Sequence, residues 1–353
     1  MYSESSTMSY ISRMKRDLPW IQLPFIANAP MSGVATSKLA VAVTLSGGLG
    51  QIGFTGSPLR LEAELENAQA QLKDFMATNQ NLDVLPVGVG IIVFGSTPQR
   101  WLPIFAKFKP AVVWLSFGNA QQIKAWTEGI RETTSSSKVW IQVGSVSAAL
   151  KAAQSCQPDA LVMQGSDAGG HGHAKGASVV ALVPEVADAL KDHGLSHIPI
   201  LAAGGIMDGR GVAAAITLGA EGVVLGTRFI GAEEADMDSD VRDEVFAASD
   251  GGESTVRSRV FDDIWGANPW PQLYDGRCLR GAFYDSQEKG MDMDSIRTQF
   301  YHDSRRSQTE EVSMRDIACI WAGAGVGLVR KLEPAADIVK RVQEDARTRL
   351  HDA

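Results

Sequence analysis

Short apolar runs, rich in β-branched residues, alternate with amphipathic segments along the first two thirds of this chain. Most of the runs are apolar nearly throughout, which is typical of parallel strands buried on both faces. Eight strands are predicted, at residues 24–30, 48–53, 85–92, 111–117, 138–144, 160–164, 198–204 and 222–229. The segments between them predict helices at residues 37–45, 58–77, 99–108, 120–131, 147–154, 184–193 and 209–218.

This alternation is the pattern of an α/β protein. In a chain of 353 residues, eight strand and helix units favour a (β/α)8 TIM barrel. A doubly wound open sheet is the alternative architecture, which eight similar runs disfavour. Pro58 and Pro184 are expected in the first turn of their helices, where a missing N–H group is tolerated.

The alternation stops after the eighth strand, in a charged segment that carries several aromatic residues. We predict that residues 231–319 form a mainly helical insertion or lid domain. Residues 1–230 would form the barrel, which residues 320–353 complete with a last helix at 334–350. Aromatic residues of the insertion either cap a substrate pocket or form its own core, and the candidates are Trp265, Trp270 and Tyr274.

Composition narrows the classes of partner. The net charge of −8 is spread over mixed acidic and basic residues, which argues against nucleic acid or an anionic membrane surface. No apolar run is long enough to span a membrane. The three cysteines lie far apart and show neither metal-ligand spacing nor a disulfide framework, so we expect no metal and a reducing, cytoplasmic location. The sequence is compatible with a homodimer.

Candidate chemistry concentrates in the stretch ALVMQGSDAGGHGH, residues 160–173. A buried strand here is expected to lead into a flexible loop, whose glycines let the backbone approach a flat ligand closely. His171 is suited to exchanging protons near neutral pH. The alternative is that this stretch is a surface loop, in which the glycines only form turns and the histidines have no role in a site. His173 either lines the mouth of a pocket or, as we favour, faces solvent.

Two glycine-rich turns follow the seventh and eighth predicted strands, at residues 203–205 and at Gly226 and Thr227. In a barrel these strand ends are neighbours, and such turns commonly bind a phosphate through backbone N–H groups. Asp208 is placed to cap the next helix. The chain has no GxxxxGK[ST] loop and no well-placed dinucleotide fingerprint, so a flavin mononucleotide (FMN) fits this phosphate site better than a nucleoside triphosphate.

Several motifs in this order make the family recognisable. NAPMSGVA (28–35), IQVGSV (141–146), QGSDAGGHG (164–172), ILAAGGIMDGRG (200–211) and GVVLGTRF (222–229) resemble the nitronate monooxygenase family, formerly 2-nitropropane dioxygenases. The similarity returns at WAGAGVGLV, near the C-terminus. Flavin-dependent enoyl reductases and NADH:quinone reductases share the motifs, so an FMN-dependent NAD(P)H reductase is the alternative activity.

The resemblance implies noncovalent FMN and oxidation of alkyl nitronates, such as propionate 3-nitronate, with O2 to a carbonyl compound and nitrite. His171 matches the catalytic base, and it could also take the α-proton of a nitroalkane. Some relatives carry Asn where this chain has Gly90. The implied cofactor-binding residues are Ala29, Pro30, Met31, Gly88, Gln142, Gln164, Gly169, Gly170, Ala203, Gly204, Gly205, Gly226 and Thr227.

Overall fold

The computed structural model describes residues 14–307 and 312–352. The strands within these ranges are β1 Phe25–Asn28, β2 Gln51–Ile52, β3 Leu85–Ile92, β4 Pro110–Ser116, β5 Lys138–Val143, β6 Ala160–Gln164, β7 Gly170–His173, β8 Ile200–Ala203, β9 Gly222–Leu225, β10 Thr255–Ser258 and β11 Tyr274–Leu279. Each of the eight predicted strands overlaps one of these, with β3 and β6 at the predicted boundaries.

Eight of the strands form one parallel sheet in the order β1-β9-β8-β6-β5-β4-β3-β2. A parallel bridge between Ala27 and Leu49 joins β1 to the chain just before β2, so the sheet is a nearly closed barrel. The predicted TIM barrel is confirmed, and the doubly wound open sheet is wrong. Burial of apolar residues on both faces of the strands is common to the two architectures, and the bridge between the two edges of the sheet is what distinguishes the barrel.

Side chains fill the inside of the barrel. Phe25 and Ala27 of β1 pack inward with Trp114 and Trp140, whereas Ile26 packs outward against the helices. The two indole centroids lie 6.2 Å apart, and the Phe25 ring meets Trp140 edge-on at 6.0 Å. These inward side chains fill one end of the barrel. The carboxyl ends of the strands remain available for a functional site.

Helices surround the barrel and continue into the insertion. They are α1 Ser37–Leu45, α2 Pro58–Gln71, α3 Lys73–Thr78, α4 Leu102–Phe108, α5 Ala120–Thr133, α6 Val146–Cys156, α7 Val179–Asp192, α8 Gly209–Thr217, α9 Ser239–Ala247, α10 Gly251–Ser254, α11 Val260–Asp263, α12 Ala282–Glu288, α13 Met293–Arg306, α14 Met314–Ile317 and α15 Ala335–His351. Among these helices, none combines the length and apolar composition needed to cross a bilayer.

Pro58 opens α2 as predicted, but the prediction for Pro184 is wrong. The helix α7 begins at Val179, which places Pro184 inside it. Leu182 and Val183 are buried in the core, so packing of this early turn extends the helix ahead of the proline. Burial of an apolar face outweighs the local cost of one missing backbone donor here.

The insertion contains α9 to α14 together with the strands β10 and β11. β11 pairs antiparallel with β10 on one side and with β7 on the other. The expected flexible loop at residues 170–173 is therefore a strand, because Tyr274–Leu279 supplies its backbone partners. This small sheet attaches the insertion directly to the stretch that carries His171. The domain boundaries at 231 and 319 stay a prediction.

Asp208 caps α8 as predicted. Its carboxylate accepts hydrogen bonds from the N–H groups of Arg210 at 3.0 Å and Gly211 at 3.4 Å. We expect Asp208→Ala to lower the free energy of unfolding by about 0.5–2 kcal/mol, because two N–H groups lose their acceptor. Asp208→Asn keeps an acceptor oxygen and should unfold close to the wild-type urea midpoint. Equal losses in both variants would contradict a capping role.

Candidate active site

A cavity of about 570 Å³ lies at the carboxyl ends of the barrel strands. This volume falls within the range of small-molecule and cofactor sites. Strand ends and the turns after them supply most of its wall, and the insertion adds Met237, Val241 and Trp270. Cys319 ends the insertion, and the C-terminal return adds Ile320 and Trp321. The opening is therefore formed jointly by the barrel and by segments outside it.

The structure brings His171 and all but one of the predicted cofactor residues to this cavity. The predicted residues that line it are Ala29, Pro30, Met31, Gln142, Gln164, Gly169, Gly170, Ala203, Gly204, Gly205, Gly226 and Thr227. Gly88 lies in β3 against the side chain of Gln51, and a Cβ there would fall 2.1 Å from the amide oxygen of Gln51. Gly90, two residues further along the strand, does line the cavity.

The first of the two glycine turns has a backbone geometry that requires glycine. Gly204 has a φ of +111° and Gly205 a φ of +72°, which L side chains rarely adopt. Thr227 accepts a hydrogen bond at Oγ1 from the N–H of Gly323 at 2.9 Å. The C-terminal return thus packs directly on the second turn and fixes its position beside the first.

A chain of side-chain hydrogen bonds crosses the cavity wall at the ends of β4, β5 and β6. The Trp114 indole N–H donates to Gln142 Oε1 at 3.1 Å, and Gln142 Nε2 donates to Gln164 Oε1 at 2.9 Å. Gln164 Nε2 in turn donates to the backbone oxygen of His171 at 2.9 Å. An amide has two donors and two acceptor lone pairs, so both glutamines keep capacity for a ligand in the cavity.

His171 is held on three sides. Its Nε2 lies 2.8 Å from Oδ1 of Asp262, and its ring stacks on Trp270 with centroids 3.6 Å apart and planes 9° apart. The ring of Trp321 lies at 4.6 Å. Gly276, opposite His171 in the β7–β11 pairing, leaves room for this indole, because a Cβ there would lie 2.2 Å from it.

Sequence reasoning missed Asp262 and the role of Trp321. Asp262 lies 91 residues from His171 in the chain, and no local motif marks it. Of the three insertion aromatics, Trp270 lines the cavity, whereas Trp265 is 59% exposed and packs on Phe300. Tyr274 lies outside the cavity lining, beside Phe117.

His173 takes neither of its two predicted positions. It is half-buried against Gly144 and Tyr274 and does not line the cavity. Burial lowers the pKa of His173, and the nearby positive charge of Arg257 lowers it further. The neutral form is therefore favoured, which suits a packing role.

The cavity is mainly apolar. Among the described residues, none that lines it is Lys or Arg, and its polar side chains are those of Ser32, Ser116, Gln142, Gln164, His171, Thr227 and Cys319. The described ranges also hold no cluster of three or more His, Cys, Asp or Glu residues suited to a metal ion. The groups that line the cavity can form hydrogen bonds through the amides of Gln142 and Gln164 and through the backbone, and His171 supplies one imidazole for proton exchange.

Comparisons with known proteins agree with this arrangement. A family model described as nitronate monooxygenase matches residues 13–260. The chain is 38% identical to "Nitronate monooxygenase npaC" of Metarhizium robertsii, over 96% of this chain and 95% of that protein. It is 36% identical to a nitronate monooxygenase of Neurospora crassa, over 98% and 95% of the two chains.

Among solved structures, FabK from Thermotoga maritima superposes with a TM-score of 0.73 at 27% identity, covering 96% of this chain and 97% of that one. The match of the family model and the near full-length similarity to two curated relatives agree with the motif order along the barrel. This chain therefore belongs to the nitronate monooxygenase family of oxidoreductases.

Proposed function

We propose that this protein is an FMN-dependent nitronate monooxygenase, which oxidises alkyl nitronates with O2 to a carbonyl compound and nitrite. The observation that carries the proposal is His171, held by a carboxylate and two indoles in the same cavity as two glycine turns and two amides. The relatives named nitronate monooxygenase support it further.

The residues at the cavity fit FMN. Gly204 and Gly205 adopt positive φ values, and Gly226 leaves the nearest neighbouring atom 3.6 Å from where a Cβ would stand, so backbone N–H groups there can approach a phosphate. Gln142 and Gln164 would hydrogen-bond the flavin ring through their remaining amide capacity. When bound, FMN supplies the redox chemistry that protein side chains lack.

His171 would handle the proton. A nitroalkane must lose its α-proton before it becomes a nitronate, and a neutral imidazole can accept that proton. A nitronate that is already ionised skips this step and needs only a hydrogen-bond donor near its negative oxygens, which His171 supplies when its imidazole is protonated. The same side chain could therefore act on both substrates. Its contribution to the rate is expected to be larger for the neutral nitroalkane, which must first lose a proton.

The cavity lining favours substrates with short apolar chains. Phe117, Val241 and Ile320 line it, and no Lys or Arg of the described chain does. A carboxylate on the substrate would lose hydration there without gaining a cationic partner. We propose that simple alkyl nitronates are used better than propionate 3-nitronate, which the family resemblance also implies as a substrate.

The test is oxygen uptake and nitrite release by FMN-loaded protein without NAD(P)H, using an alkyl nitronate and propionate 3-nitronate. Turnover of the alkyl nitronate is expected, with a higher kcat/KM than for propionate 3-nitronate. Absence of both oxygen uptake and nitrite would overturn the proposal. Rapid anaerobic bleaching of the flavin by NADH would instead favour the reductase alternative.

Cofactor binding can be tested separately at Gly226. Gly226→Ala adds one methyl group in the cavity, with no protein atom nearer than 3.6 Å. We expect retention of FMN to weaken about tenfold or more, because overpacking a close-fitting site costs about 1–3 kcal/mol. Gly252→Ala is the matched control, since its nearest atom is also 3.6 Å away and it does not line the cavity. Equal flavin absorbance in both variants after dialysis would contradict the assignment.

A further inference from the structure

The carboxylate of Asp262 is buried beside His171 and has a hydrogen-bond partner at only one of its two oxygens. Asp262 is 8% exposed, and its Oδ1 lies 2.8 Å from Nε2 of His171. Its second oxygen, Oδ2, is buried and has no hydrogen-bond partner among the residues that the structure describes. A buried carboxylate with a single partner depends on that partner for its stabilisation.

This contact restricts the imidazole. An ionised carboxylate can only accept a hydrogen bond, so Nε2 must carry the hydrogen. The other ring nitrogen, Nδ1, is then unprotonated and is the atom left to accept a proton from a substrate. Once Nδ1 is protonated, the imidazolium and Asp262 form an ion pair, which stabilises the product of proton transfer.

The ring does not depend on Asp262 alone for its position. Trp270 stacks on one face, and Trp321 contacts it as well. A change at Asp262 that keeps the side chain's shape should therefore leave the ring in place and alter mainly which nitrogen carries the hydrogen. Asp262 belongs to α11 in the insertion, so the insertion contributes to the chemistry of a barrel residue.

We propose that Asp262 is a positioning residue, which holds His171 as the Nε2–H tautomer and so assigns Nδ1 as the atom that takes the α-proton of a nitroalkane. This inference rests on the proposed function of the site. It predicts that loss of Asp262 slows turnover of a nitroalkane more than turnover of a nitronate. The nitroalkane still carries the α-proton when it binds, whereas the nitronate has already lost it.

Asp262→Asn tests this expected difference between the nitroalkane and the nitronate. An asparagine amide can donate to Nε2 and so favour the opposite tautomer. Turnover of a nitroalkane is expected to fall by about 10²-fold or more, whereas turnover of the preformed nitronate should fall by less than about tenfold. Asp263→Asn removes the same charge from the neighbouring residue, which does not line the cavity, and should change neither rate more than about twofold.

A second readout does not need turnover. In protein labelled with 15N-histidine, and with the signals of His171 identified by their loss in His171→Asn, the wild type should show Nε2–H and Asp262→Asn should show Nδ1–H. The same tautomer in both proteins, or equal falls in the two rates, would overturn the proposal. If the wild type turned over neither substrate, the proposed function would fail, and the tautomer would still decide whether Asp262 controls His171.

Discussion

His171→Asn is expected to reduce nitroalkane turnover by about 10²–10⁴-fold, the usual contribution of a positioned general base. Asparagine is close in size to part of the imidazole, but its amide cannot accept a proton near neutral pH. A preformed nitronate should retain a larger share of the wild-type rate, because its α-proton is already gone. Oxygen uptake with each substrate, measured on protein with equal flavin content, gives both values.

His173→Asn is the matched control for this variant. His173 lies two residues along the same strand, yet it packs against Gly144 and Tyr274 and does not line the cavity. Its replacement should leave kcat for the nitroalkane within about threefold of the wild type, as for most substitutions outside a site. Nitroalkane turnover by His171→Asn within tenfold of the wild type would contradict the assignment of a base at this position.

The barrel was predictable because its signals are local. Each strand is a short run of residues that must be buried on both faces, and the runs alone give eight strands. The first glycine turn was predictable for a similar reason, since Gly204 and Gly205 adopt a backbone that other residues avoid. Such features need no knowledge of what lies across the molecule.

The features that sequence reasoning missed depend on distant partners. Residues 170–173 read as a loop, because two glycines and two histidines carry no strand signal, and β11 supplies their pairing about a hundred residues later. Asp262 lies in the helix that follows β10 of the same small sheet, and it contacts His171 from there. The start of α7 was missed because tertiary burial of Leu182 and Val183 outweighs the local signal of Pro184.

Glu333 joins the turn after β9 to the start of α15. It accepts hydrogen bonds from Arg341 at 2.6 and 2.7 Å and also pairs with Arg228, which is itself buried. Burial alone would raise the pKa of Glu333, but hydrogen bonds from Arg341 and Arg228 outweigh it and lower the pKa to about 2. The ionised form is therefore strongly favoured in the folded protein.

We expect Glu333→Gln to lower the free energy of unfolding by about 3–5 kcal/mol, because it leaves the guanidinium of Arg228 buried without its counter-charge. The measurement is urea unfolding followed by tryptophan fluorescence at neutral pH. Glu62→Gln is the control, since it removes a carboxylate that pairs with the exposed Lys107, and its effect should be much smaller. Similar losses in the two variants would contradict a special contribution from the buried pair.

The same pair predicts the direction of the acid response. A carboxyl whose pKa is lowered on folding contributes stability that is fully present above its unfolded value, near 4.5, and is lost as the pH falls toward about 2. A difference of this size corresponds to about 3 kcal/mol, which agrees with the loss expected from removing the charge. Wild-type protein should therefore lose stability between pH 4.5 and 2 more steeply than Glu333→Gln, which has no carboxyl to protonate there. Parallel curves for the two proteins across this window would mean that Arg228 and Arg341 do not hold Glu333 in its ionised form.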